Sequence, residues 1–251
     1  MEQNILLTIE YDGTEFHGWQ RQPGLRTVQG TLEAVLSRVC ACDISIDGTS
    51  RTDAGVHALG QRASFCGDFG IPAERIPIAV NHILLGDHRG DVRIRKAERM
   101  PEGFHARFDS RGKKYRYQIW NQGEMPVFSR NYYYHVEQPL DAEAMQEAAH
   151  GIVGTHDFCC FQAAGGFPRE TTVRTVHNCT VTRDEQGNVI LEISGDGFLY
   201  NMVRIITGTL VEVGLGKRDP ADIPQIIASG ERARAGHTAP PQGLYLVEVY
   251  Y

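Results

Sequence analysis

The run Gly48-Thr49-Ser50-Arg51-Thr52-Asp53-Ala54-Gly55-Val56-His57 gathers residue types that can do chemistry into a constrained backbone. Gly48 and Gly55 permit dihedrals that a β-carbon penalises. Thr49, Ser50 and Thr52 carry short side chains that bond nearby backbone groups and so fix a turn. Arg51 and Asp53 stand two positions apart, and in extended chain their side chains leave on the same side. A guanidinium beside a carboxylate favours its charged form, which a nucleophilic or proton-abstracting carboxylate requires. The same residues also suit an ordinary turn in which Asp53 only shapes or caps the loop.

Two further stretches carry candidates. Phe104 to Trp120 holds Arg107, Arg111, Lys113, Lys114 and Arg116 against one acid, Asp109, with Phe104, Phe108, Tyr115, Tyr117 and Trp120 interleaved. Basic charge among aromatic faces binds phosphate backbone and stacks bases. On a strand, Lys113, Tyr115 and Tyr117 share one face and Lys114, Arg116 and Gln118 the other; a half-buried strand with a solvated basic side fits equally. Arg204 interrupts an apolar helical run from Phe198 to Val213. It either snorkels to water or, half-buried, takes a carboxylate partner, for which Asp53 is a candidate.

Composition narrows the class. The chain has 251 residues, 41% hydrophobic and 22% charged, with net charge −6; this is a globular composition with room for one large domain or two small ones. No apolar run reaches the roughly 18 residues of a membrane helix, and Met1 to Asn4 does not read as a signal peptide. Both point to a cytoplasmic protein with no membrane contact. Six cysteines, none in a Cys-x-x-Cys pair, and ten histidines show no metal spacing, and there is no phosphate or dinucleotide loop and no Gly-x-Ser-x-Gly elbow. No cofactor and no metal are expected. An acidic total argues mildly against nucleic acid, an objection that local clustering of basic residues removes.

These candidates need elements to position them. Strands are expected at Ile5 to Tyr11, Asp43 to Asp47, Gln61 to Cys66 and Val92 to Ala97. Val28, Leu32, Val35, Leu36 and Val39 mark a helix capped by Thr27, and Val80, Ile83 and Leu84 a second one with Pro77 near its start. The order is β-α-β-β-α-β, the split βαβ unit of ferredoxin-like folds. The second half repeats it with additions: strands Lys113 to Trp120, Tyr132 to Val136, Thr172 to Thr182, Val189 to Ser194 and Leu244 to Tyr250. Its helices are one capped by Asp141, one carrying Val203, Ile206, Leu210 and Val213, and one from Asp219-Pro220 to Gly230. The reading is α+β, with halves 1–104 and 105–251.

Tyr11-Asp12-Gly13-Thr14, Gly18-Trp19-Gln20, Thr27-Val28-Gln29-Gly30, Gly48 to His57, Phe104 to Tyr117, Gly197 to Lys217 and Ala239 to Leu244 follow one another in an order that resembles the tRNA pseudouridine synthase A family. Arg-Thr-Asp-Ala-Gly-Val-His is the most specific of these, and the resemblance spans nearly the whole chain. It implies two ferredoxin-like halves sharing one mixed sheet, with helices on one side and a central cleft. It implies cofactor-free isomerisation of uridine to pseudouridine in the anticodon arm of tRNA, by homodimers. It assigns Asp53 as the essential aspartate, Tyr115 as the ring stacked on the target uracil, and Arg51 and Arg204 as flanking arginines. Two other functions fit parts of the pattern. A hydrolase of N- or O-glycosides would need a second carboxylate, and none lies near Asp53 in sequence. A non-catalytic RNA-binding module would not need a charged aspartate in a tight turn, and no RNP1-type signature occurs. His17, His57 and the segment from Phe161 to Arg174 are further candidates for RNA contact, or plain structural residues.

Overall fold

The computed structural model describes residues 2–87, 89–165 and 170–251. The apolar run Ile5-Leu6-Leu7, continued by Ile9 and Tyr11 and buried throughout, gives β1 (Glu2–Tyr11), followed by α1 (Val28–Cys40), β2 (Asp47–Gly48), β3 (His57–Asp68), α2 (Ile76–Asp87) and β4 (Val92–Met100). Then come β5 (Gly112–Trp120), β6 (Tyr134–His135), α3 (Ala142–His150), β7 (Gly154–Asp157), β8 (Val173–Arg183), β9 (Val189–Gly195), α4 (Met202–Gly214), α5 (Ile223–Ser229) and β10 (Leu244–Tyr250). The protein is α+β. Its contacts divide it into one unit of Met1–Arg111 with Tyr245–Tyr251 and another of Gly112–Leu244.

In the first unit β1 is central, antiparallel to β3 on one side and to β4 on the other. The far edge of β3 is shared: β2 pairs at Ala63 and Ser64, and β10 runs parallel at His57 and Ala58. The order β4-β1-β3-β2 is the split βαβ arrangement expected from the spacing. The Thr27 side chain accepts the Gly30 N–H and caps α1, which buries Val28, Leu32, Val35 and Leu36, as the periodicity requires. The expected strand at Asp43 to Asp47 shrinks to Asp47–Gly48. Ile44 and Ile46 do alternate into the core, but their backbone groups bond side chains of α1 instead of a neighbouring strand. Ile44 N–H donates to Ser37 Oγ, Ile46 N–H to Glu33 Oε1, and the Ile46 carbonyl accepts Gln29 Nε2.

In the second unit β5, β9, β8 and β7 form an antiparallel run in that order. The expected strand Tyr132 to Val136 pairs only at Tyr134–His135, parallel to the end of β5. Strand β7 had no alternation to announce it. Asp141 caps α3 by accepting from Glu143 and Ala144 N–H. The element after Asp219 starts as a 3₁₀ turn, Pro220–Asp222, before α5, which Gly230 ends at φ +68°. Tyr117, Ile119, Leu191, Ile193, Ile206 and Leu210 are fully buried, each contributing about 1.5–3 kcal/mol through burial.

Candidate functional site

The loop 49–56 joins β2 to β3 and is clamped at several points within the first unit. Fully buried Gln61 donates from Nε2 to the Ser50 carbonyl at 2.7 Å and accepts the Ser50 N–H at 3.3 Å. Thr52 Oγ1 is 2.8 Å from the Tyr11 hydroxyl, and the Thr52 carbonyl accepts the Trp19 N–H at 3.0 Å. The Val56 N–H closes the turn onto the Asp53 carbonyl at 3.1 Å, and Gly55 takes φ +79°. The turn around Gly13 is nested against the loop so tightly that a β-carbon there would lie 2.0 Å from the Val56 carbonyl oxygen. Between these clamps Arg51 is exposed and Asp53 half-buried.

His57 closes the loop. It is 2% exposed and stacked on Tyr245 at 4.7 Å. Its Nδ1 accepts the Gly13 N–H at 3.0 Å, so that nitrogen carries a lone pair. Asp12 Oδ1, at 3.2 Å, is then a neighbouring charge and not a second partner of that atom; it is itself held by the Thr14 N–H and O–H. His57 is thus a structural histidine. His17 is exposed, and of the segment from Phe161 to Arg174 the residues 166–169 lie outside those described.

Tyr115 and Arg204 belong to the second unit. Tyr115 faces the core side of β5, opposite Ile193, with Tyr117 and Ile119 on the same face. It is 8% exposed and meets Phe198 edge-on at 5.3 Å. The other face of β5 is basic but engaged. Lys114 and Arg116 both pair at 2.8 Å with Glu192 on β9. Burial would raise the Glu192 carboxyl, but the bonds from Lys114 and Arg116 outweigh it and hold the group below its ordinary value.

Arg204 is half-buried on α4. Its Nε donates to the Ala239 carbonyl at 2.7 Å and its Nη1 to Asn201 Oδ1 at 2.9 Å, while its own carbonyl accepts the Ala239 N–H. Tyr117, fully buried, donates to the adjacent Pro240 carbonyl at 2.6 Å. Burial pushes the Tyr117 hydroxyl well up, with the Arg204 charge opposing. The segment 239–240 therefore fixes the guanidinium from one side. Gln61 and Tyr117, which hold the two candidate regions in place, gave no separate signal in the sequence. A polar residue in an alternating strand ordinarily marks the solvent side, and Tyr117 was one aromatic among several.

Among the described residues, no group of three or more His, Cys, Asp or Glu could hold a metal ion, and no helix is long and apolar enough to cross a membrane.

A family model described as tRNA pseudouridine synthase matches residues 7–109 and 148–251. The chain is 48% identical over 249 residues to tRNA pseudouridine synthase A of Ruminiclostridium cellulolyticum, covering 99% of this chain and 100% of that protein. Identity and coverage are the same for the protein of that name from Acetivibrio thermocellus. The tRNA pseudouridine synthase A 2 of Clostridium tetani is 44% identical over 253 residues, spanning 100% of both chains. Among solved structures, an archaeal box H/ACA sRNP Nop10–Cbf5 complex matches 97% of this chain and 46% of its own, at 10% identity and a TM-score of 0.32, a likeness too slight to bear on fold or function.

Proposed function

The chain belongs to the tRNA pseudouridine synthase family and is an isomerase of uridine in tRNA; we propose that Asp53 is the group that starts the reaction and that its targets lie in the anticodon arm. The observation that carries this reading is the clamped loop. Backbone bonds at Ser50, Thr52 and the Asp53 carbonyl fix the chain on both sides of one half-buried carboxylate. Fixing a reacting group before substrate arrives removes entropy from the barrier.

The chemistry conserves atoms. The C1′–N1 bond breaks, uracil turns within the site, C1′ joins C5, and the C5 proton leaves while N1 gains one. Asp53 either adds to C1′ or takes a proton from C2′. A paired uridine reaches a carboxylate only by leaving the stack, at a cost of a few kcal/mol. Tyr115 offsets part of this by stacking on the uracil, with Arg51 and Arg204 beside the carboxylate and the vacated space. In this reading the first half brings the aspartate loop and the second brings Tyr115 and the Arg204 helix. The protein works as a homodimer, in the cytoplasm, without a cofactor.

Asp53→Asn should abolish tritium release from tRNA carrying 5-tritiated uridine while leaving tRNA affinity within about twofold. Lost affinity with unchanged turnover per bound complex would show that Asp53 serves binding and not chemistry.

A further inference from the structure

After β4 the chain turns through residues 101–111, all within the first unit, and this turn is hydrogen-bonded at several points. Asn4 Nδ2 donates to the Phe104 carbonyl. Ala106 is fully buried; its N–H donates to Ser64 Oγ, and its carbonyl accepts from Thr49 Oγ1 and the Tyr251 hydroxyl. The His105 N–H donates to Asp109 Oδ2, the Arg107 N–H to His105 Nδ1, and the Arg111 N–H to the Tyr250 carbonyl.

From this fixed turn Phe108 projects 75% exposed. His105 lies 4.3 Å from its ring centroid and the Arg107 guanidinium 5.7 Å. Single exposed apolar residues are common and need no explanation. This one differs because the backbone is hydrogen-bonded on both sides of it, at Arg107 and at Asp109, and because a cation stands beside it. Among the described residues, the Arg107 guanidinium has no carboxylate partner. The Asp109 carboxylate takes the His105 N–H, and Asp47 faces His105 Nε2 at 3.5 Å. The turn is also stitched, through Ala106, to Thr49, which opens the loop bearing Asp53.

We propose that Phe108 is a stacking platform for one unpaired base of the RNA substrate and that Arg107 binds the adjoining phosphate. This rests on the reading of tRNA as substrate. An aromatic face with an adjacent arginine is how proteins hold single-stranded RNA regardless of which base is present. Anchoring to Thr49 gives the platform a fixed register relative to the reacting loop, so an unpaired nucleotide held there would place a neighbouring uridine.

The test measures binding of an unmodified tRNA transcript and its steady-state isomerisation. Phe108→Ala and Phe108→Leu should each raise Kd and KM about tenfold, leaving kcat at saturation and melting temperature close to wild type. Phe108→Trp should restore affinity. Arg107→Gln should weaken binding and lower the slope of log Kd against log salt by about one, whereas Phe108→Ala should leave that slope alone. Phe108→Ala binding within twofold of wild type would overturn the proposal. So would Phe108→Leu matching wild type, or a change of oligomeric mass with RNA affinity intact. Wild-type protein that neither bound nor isomerised the transcript would overturn the functional reading, and the platform with it.

Discussion

At Gly13 the clamp on the loop that carries Asp53 comes down to a single hydrogen atom. A methyl group would meet the Val56 carbonyl oxygen at 2.0 Å, and backbone stands on both sides of the clash. Neither side can give without moving the turn that holds Asp53. Gly13→Ala should therefore cost about 1–3 kcal/mol in stability, as overpacking does, and lower kcat at least tenfold through misplacement of the carboxylate. Gly70→Ala is the control, since nothing lies within 4 Å of its β-carbon position. Denaturant melts and single-turnover rates of the two variants decide it; equal rates would mean the loop tolerates displacement. Much of this was legible at residue scale: the Gly-Thr-Ser cluster around Asp53 signals a constrained turn in any context. The partners of that turn were not. Gln61, the Tyr11 hydroxyl and the Trp19 amide reach it from other segments of the first unit, and no local pattern encodes such a meeting.

Among the elements, α4 and the segment after α5 are joined by one carboxylate. Glu212 Oε1 accepts both the His237 N–H and its Nδ1–H at 3.0 Å, and Oε2 accepts Arg218 Nε at 2.6 Å. His237 Nε2 is 3.2 Å from the Tyr134 hydroxyl, and the Gly236 N–H donates to Thr209 Oγ1. Burial alone would raise the Glu212 carboxyl, but these bonds bring it down from 4.5 to about 2. A carboxyl whose folded value is depressed adds stability above its unfolded value and loses it as pH falls toward the folded one. The stability difference between wild type and Glu212→Gln should thus be on the order of 2–3 kcal/mol at pH 7. It should shrink once pH drops below about 4.5 and be nearly gone near pH 2. Denaturation at several pH values measures it, and a gap independent of pH would mean the side chain acts by packing. The sequence located most elements but misjudged short ones, for a physical reason. Ile44 and Ile46 alternate because both bury, while α1 side chains meet the backbone needs of that segment. Burial pattern and ladder pairing are separate quantities, and only the first is written in the order of residues.

Over the whole molecule, an acidic protein of net charge −6 must hold a polyanion. Part of its positive charge is already paired internally: Arg26 with Asp91, Arg62 with Glu98, Arg218 with Glu212, and Lys114 and Arg116 sharing the one charge of Glu192. The basic run that suggested an RNA face on β5 is therefore partly a structural pair network. The RNA contact must draw on other cations. Even four neutralised phosphates make the slope of log affinity against log salt about −3.6, so a fourfold rise in salt should weaken tRNA binding roughly 100-fold. Replacing Lys114, Arg116 and Glu192 together by Gln removes one net positive charge, yet it should change that slope by less than one, because both cations are already held by Glu192 within the sheet. If β5 instead presents its charge to RNA, the triple variant should lose about two from the slope. Filter binding of one unmodified tRNA across a salt series distinguishes the two outcomes. A shallow slope for the wild-type protein would mean that shape and stacking, rather than phosphate contacts, dominate its hold on tRNA.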